Sequence, residues 1–204
     1  MDKVKSDYGK ARDASWKVIS KYNITSLPVD VFDLARKMGI KVLPYSNSRL
    51  LMRLLGVYRL RKKNDGLYMR FIKRRYIFYD DSVKSQGRLR FTIAHELGHD
   101  VLGHTGRGAV MIPRCAERNR EGVFGGYETE ANIFASRLLA PSGVLHSMNI
   151  TSAEDISQLC GISHEAATYR AERLATLNKR NMYNVSELER DAMERFKNFI
   201  ESNK

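Results

Sequence analysis

A chain of 204 residues, 43% apolar, can bury one sizeable core, alone or with a small appendage. No apolar run approaches the roughly 18 residues of a membrane-spanning helix, and Met1 to Ser6 lack an apolar signal region. Two cysteines, Cys115 and Cys160, exclude a disulfide framework, and with a net charge of +12 we expect a cytoplasmic protein with free thiols that meets acidic partners.

Taken in order, Tyr8 to Tyr22 reads as a helix, with Ala11, Ser15, Val18, Ile19 and Tyr22 near one stripe. Pro28 is expected to open a second helix through Val31, Leu34, Ala35 and Met38, stopped at Gly39. Ile40 to Leu43 is a short strand candidate. The two helices have a helix-turn-helix outline, which in short helices usually means packing on a core. Leu54 to Leu60, Gly66 to Ile72 and Arg75 to Asp80 read as strands of a small antiparallel sheet, with a turn at Lys73-Arg74. From Arg49 to Arg90 there are thirteen basic and three acidic residues, a local net charge of +10. That field suits an acidic substrate segment or nucleic acid, and equally a solvated sheet edge that resists aggregation. Arg74 and Arg75 are the candidate substrate-binding residues, because a sheet edge can take an extended peptide by strand addition.

Phe91-Thr92-Ile93-Ala94-His95-Glu96-Leu97-Gly98-His99 then sets an H-E-x-x-H motif in a helical pattern. Residues four apart stand about 5–6 Å from each other on one helix face, so both imidazoles can reach a single zinc ion. Glu96 lies about 100° round the helix, where it can stay off the metal and act as base on a zinc-activated water. The rest of the helix is apolar nearly all round, as a buried helix is, and Gly103 can cap it. Gly103 to Tyr127 is rich in glycine and arginine and reads as a long, mobile loop at a cleft entrance. His104 does not match the H-E-x-x-H-x-x-G-x-x-H spacing, which would need Gly at Leu102 and His at Thr105. It is read as a surface residue or as support for a ligand.

A third ligand is therefore expected from the next helix, Glu128 to Leu139, ended by Pro141. Its apolar arc is Ala131, Phe134, Ala135, Leu138 and Leu139. At about 100° per residue, Glu128 lies roughly 50° from the centre of that arc and Glu130 roughly 110°. Glu128 is thus the inward carboxylate. Asn132 shares its face and could orient a ligand from behind. Glu130 reads as a partly exposed ion-pair partner.

Arg90 to His99, followed by Glu128-x-x-Ala131-Asn132-x-Phe134-Ala135-x-x-Leu138-Leu139-x-Pro141, resembles the ImmA/IrrE metallopeptidase family. The resemblance extends loosely from about Val29 to Leu174. It implies an intracellular zinc protease that cleaves a helix-turn-helix repressor. It implies His95, His99 and Glu128 as the metal ligands and Glu96 as the catalytic acid/base. The Glu128 and Asn132 pair also resembles the Glu-x-x-x-Asp arrangement of thermolysin-like enzymes.

After Pro141 the pattern is helical. Thr151 to Glu154 has a capping-box outline, Gly161-Ile162-Ser163 a tight turn, and Ser163 caps a helix through Leu177. This second helix-turn-helix outline could bind DNA, but Glu165 and Glu172 accompany Arg170 and Arg173, and packing is the favoured reading. Ser186 starts a last helix with Leu188, Ala192, Phe196, Phe199 and Ile200.

The expectation is an α+β protein. Residues 1–145 would form a zincin-like peptidase domain, with a small antiparallel sheet and the motif helix, and 146–204 a helical, helix-turn-helix-like extension. The function expected is a zinc-dependent, gluzincin-like endopeptidase acting on a repressor. The alternative is a zinc-binding transcriptional regulator or antirepressor that binds DNA or repressor without cutting.

Overall fold

The structure, a computed structural model, describes residues 6–104, 123–180, 182–183 and 186–203. Cys115 and most of the glycine-rich stretch read as a loop lie outside the described residues. Among the described residues no helix is long and apolar enough to cross a membrane.

Helix α1 spans Tyr8–Lys21. Asp7 caps it, its side chain accepting from the Lys10 N–H at 2.8 Å. Ala11, Ser15, Trp16, Val18 and Ile19 are buried, close to the expected stripe. Helix α2, Val31–Lys37, begins later than Pro28, because Asp30 is the residue whose Oδ1 takes the first free N–H groups, those of Phe32 and Asp33. Gly39 ends it with φ +72° and leads into β1, Ile40–Pro44.

The strand expected at Leu54 to Leu60 is absent. Helix α3, Arg49–Leu54, and a 3-10 turn, Tyr58–Lys63, occupy that region. Gly56, at φ +73°, caps α3, and the Val57 N–H reaches back to the Met52 carbonyl at 2.9 Å. The leucine-rich stretch Leu50 to Leu55 supplies a short helix that buries Met52 and leaves Leu50 and Leu54 in solvent.

Strands β2, Gly66–Phe71, and β3, Arg74–Tyr79, form the expected antiparallel hairpin. Its turn is Ile72-Lys73, one residue earlier than read from the sequence, with Ile72 at φ +55°. Strand β1 joins parallel to β3, so the sheet is mixed, in the order β1-β3-β2. Both of its faces are covered. Tyr68 and Ile77 enter the main core, while Leu67, Met69, Tyr76 and Phe78 pack with Tyr45, Met52 and Val57. Burial on both faces is why polar and apolar residues hardly alternate here.

Helix α4, Gln86–Leu102, lies against β2 and β3, and α5, Val123–Leu139, packs on both α4 and α1. Helix α5 starts five residues before Glu128. Gly98 sets the spacing of α4 and α5. A Cβ there would stand 2.9 Å from Phe134 Cδ1 and 3.3 Å from the Ala131 backbone. Asp100 ties α4 to the sheet. It accepts from the Tyr68 hydroxyl and from Arg75 Nη1, the latter at 2.8 Å. Asp100→Ala removes the acceptor that both groups share, and should lower unfolding stability by about 1–3 kcal/mol in urea titrations. An unchanged midpoint would mean that solvent replaces Asp100 at no cost.

The remaining helices are α6, Ser142–Ser147, α7, Ala153–Cys160, α8, His164–Arg180, α9, Glu187–Arg195, and α10, Lys197–Ser202. Ser152, not Thr151, caps α7, accepting from the Asp155 N–H at 3.0 Å. The α7–α8 turn sits on α4 so closely that a Cβ on Gly87 would meet the Ser163 nitrogen at 2.6 Å. Arg170 faces inward and donates to the Ala140 carbonyl and Ser142 Oγ, both at 2.7 Å. The single last helix expected from Ser186 is broken at Phe196, which is fully buried. One apolar core thus runs from Ala11 on α1 to Ile200 on α10.

Candidate metal centre

Every residue from Thr92 to His99 is buried, so the motif lies inside the protein and not on its surface. His95 and His99, one turn apart, present Nε2 atoms 3.0 Å from each other. Glu128, from α5, meets both. Its Oε2 is 3.2 Å from His95 Nε2 and its Oε1 is 3.3 Å from His99 Nε2. One donor atom from each of the three residues falls within 4.8 Å of the others, which is a group that could hold a metal ion. Glu128 Oε2 is buried and accepts no hydrogen bond. Burial pushes this carboxyl up, but His95 and His99 beside it outweigh that and hold it well below the usual carboxylate range. A buried, ionised oxygen facing two imidazole nitrogens fits a cation.

Glu96 is buried beside this group and is not part of it. Its Oε2 accepts from the Tyr68 N–H of β2 at 2.8 Å. The strand can come this close because residue 66 is glycine. A Cβ on Gly66 would stand 2.5 Å from Thr92 Cγ2 and 3.1 Å from Glu96 Cγ.

Asn132 lies where the sequence suggested, with Oδ1 2.9 Å from His95 Nδ1. The amide oxygen can accept from Nδ1, the pairing that His95 would need in order to bind an ion through Nε2. Arg74 is exposed beside the hairpin turn. Arg75 is committed elsewhere, to Asp100 and to the Met38 carbonyl, and does not offer a free cation.

Glu130 departs from the sequence reading, whereas His104 takes the second of the two places read for it, behind a histidine of the motif. Glu130 is not a partly exposed ion-pair partner. Its side chain is 5% exposed, against 27% for Glu128, because α1 covers that side of α5. The Asp7 N–H donates to Glu130 Oε1 at 2.9 Å, and His104 Nε2 lies 3.0 Å from Oε2. The His104 side chain is buried, its ring stacked on Tyr127 at 4.4 Å and its Nδ1 2.9 Å from His99 Nδ1. Burial pushes the His104 imidazole down to about 4, against the opposing pull of Glu130. A signal for this was present in the sequence. A helix capped by glycine folds the residue after the cap back over the fourth residue from the helix end. With Gly103 at φ +71° those residues are His104 and His99, and the His104 N–H bonds the His99 carbonyl at 3.1 Å.

Comparison with known proteins gives the family. The chain is 30% identical over 167 residues, 81% of its length and 91% of the other's, to a protein of Bacillus phage phi105 named uncharacterized immunity region protein 2. Residues 36–172, which hold the histidines, Glu96 and Glu128, match the family described as the IrrE N-terminal-like domain, Peptidase_M78. That match covers more than half of the chain and includes the three residues that converge here on a possible metal site, so the protein belongs to this peptidase family.

Proposed function

We propose that the chain is a cytoplasmic zinc-dependent endopeptidase that cleaves a helix-turn-helix transcriptional repressor. The observation that carries the reading is the place of Glu96, buried beside a two-histidine, one-carboxylate group, held by a backbone N–H and outside the group itself. A purely structural site closes the coordination with protein ligands and needs no such base.

His95, His99 and Glu128 would hold the ion, a donor set that zinc takes in hydrolytic centres. The metal supplies Lewis-acid polarisation of water and of the scissile carbonyl. Glu96 accepts a proton from the attacking water and passes it to the leaving amine. The Tyr68 N–H fixes the Glu96 carboxylate in one orientation. Asn132 keeps His95 in the tautomer that binds through Nε2. Among the described residues no strand pairs with the outer edge of β2, so an extended peptide can add there, next to Glu96.

The family resemblance supports a repressor as substrate, and the similar phage protein carries an immunity-region name. The basic stretch around the hairpin would favour acidic segments through faster encounter. Co-expression with a helix-turn-helix repressor encoded beside this gene should yield a shortened repressor. Cleavage of the purified repressor should slow as salt rises from about 50 to about 200 mM, where screening shortens toward 8 Å. Lys73→Ala with Arg74→Ala should slow that reaction more than cleavage of a neutral peptide, and it spares the Arg75–Asp100 pair. A repressor that leaves its operator intact and uncut would favour sequestration instead.

A further inference from the structure

We propose that His104 and Glu130 form a positioning relay that keeps His99 in the one tautomer able to bind metal through Nε2, with the start of α1 as its anchor. The inference rests on the reading of His99 as a ligand.

The contacts run in one line from Asp7 N–H to Glu130, to His104, to His99. A carboxylate only accepts, so His104 Nε2 carries a hydrogen and points it at Glu130 Oε2. The gap between the two Nδ1 atoms is 2.9 Å and holds one proton. A neutral His104 ring has none left for Nδ1, so that proton belongs to His99. His99 Nε2 then keeps its lone pair, directed at the space shared with His95 and Glu128. With the protons placed the other way, His99 would carry hydrogen on Nε2 and could not ligate.

The backbone prepares the relay. The left-handed Gly103 cap returns His104 over His99, and α1 closes over Glu130 from outside the family-matched segment. A buried histidine and glutamate are expensive unless every polar atom is satisfied. Here both ring nitrogens and both carboxylate oxygens have partners, which a surface ion pair would not require.

The decisive variant is Glu130→Gln. The Asp7 N–H can only donate, so it selects the amide oxygen and leaves the NH₂ group facing His104 Nε2. That reverses each proton along the line. Zinc affinity of the full chain, read by competition with a chromogenic chelator, should fall about 10–100-fold. His104→Leu should fall similarly, whereas His104→Asn, with an acceptor oxygen where Nδ1 stands, should recover most of the affinity. Far-UV circular dichroism of the metal-free proteins serves as the folding control. If Glu130→Gln does not fold, the His104 pair decides alone. Parental affinity in Glu130→Gln, or His104→Asn as weak as His104→Leu, overturns the relay. A parent chain that takes up no zinc overturns the peptidase reading and the relay with it, whereas zinc uptake with unaffected variants removes the relay only.

Discussion

Glu96→Gln is expected to lower peptide cleavage by about 10²–10⁴-fold, the usual worth of one well-placed general base, while the protein keeps its fold and its metal. Glutamine has the same shape, so it fits the space that Gly66 leaves between β2 and α4. Its amide oxygen can still accept from the Tyr68 N–H. What it cannot do is take a proton from water. Because Glu96 is not in the metal-holding group, zinc content should match the parent. The comparison is a single-turnover cleavage assay beside a metal analysis of the same samples. Cleavage at the parent rate would show that another group is the base. Zinc lost together with activity would show that Glu96 supports the ion and not the proton transfer.

Loss of the ion itself should follow Glu128→Gln. A carboxylate held ionised by two imidazoles is replaced by a neutral amide, and one of three protein ligands is gone. Zinc affinity should drop by more than about 100-fold, beyond the 10–100-fold typical of residues that only support a ligand. The purified parent should carry about one zinc per chain, and the Glu128→Gln chain almost none. Equal zinc in the two proteins would remove Glu128 from the site. The position of Glu128 on its helix alone suggests that Glu130→Gln should be far milder. Burial of Glu130 behind His104 narrows that contrast, so the order expected is parent, then Glu130→Gln, then Glu128→Gln.

Much of the centre was legible without coordinates. His95, Glu96 and His99 lie on one helix, and their relation follows from 3.6 residues per turn whatever surrounds them. The Gly103 stop is equally local, since only glycine takes the left-handed cap at no steric cost. The same periodicity on a second helix put Glu128 and Asn132 on the side that meets the histidines. The family resemblance then joined the two motifs, which spacing along the chain could not do.

Other features depended on elements far away in sequence. Leu54 to Leu60 was read as a strand, but the preceding turn is helical and buries Met52 against Tyr45, Tyr76 and Phe78, contacts that the local pattern does not contain. Strand β1 could have joined either edge of the hairpin, and it chose the side of β3 in parallel. Glu130 shows the limit most clearly. An angle on a helical wheel ranks a residue against the apolar arc of its own helix, and by that measure Glu130 faces water. Helix α1, more than a hundred residues earlier, packs on that face and takes the carboxylate out of solvent, giving it the Asp7 N–H and His104 in exchange. Burial belongs to the assembled helices and not to any one of them. The face that presents His95 and His99 was therefore set by local periodicity, and the support behind His99 by tertiary packing.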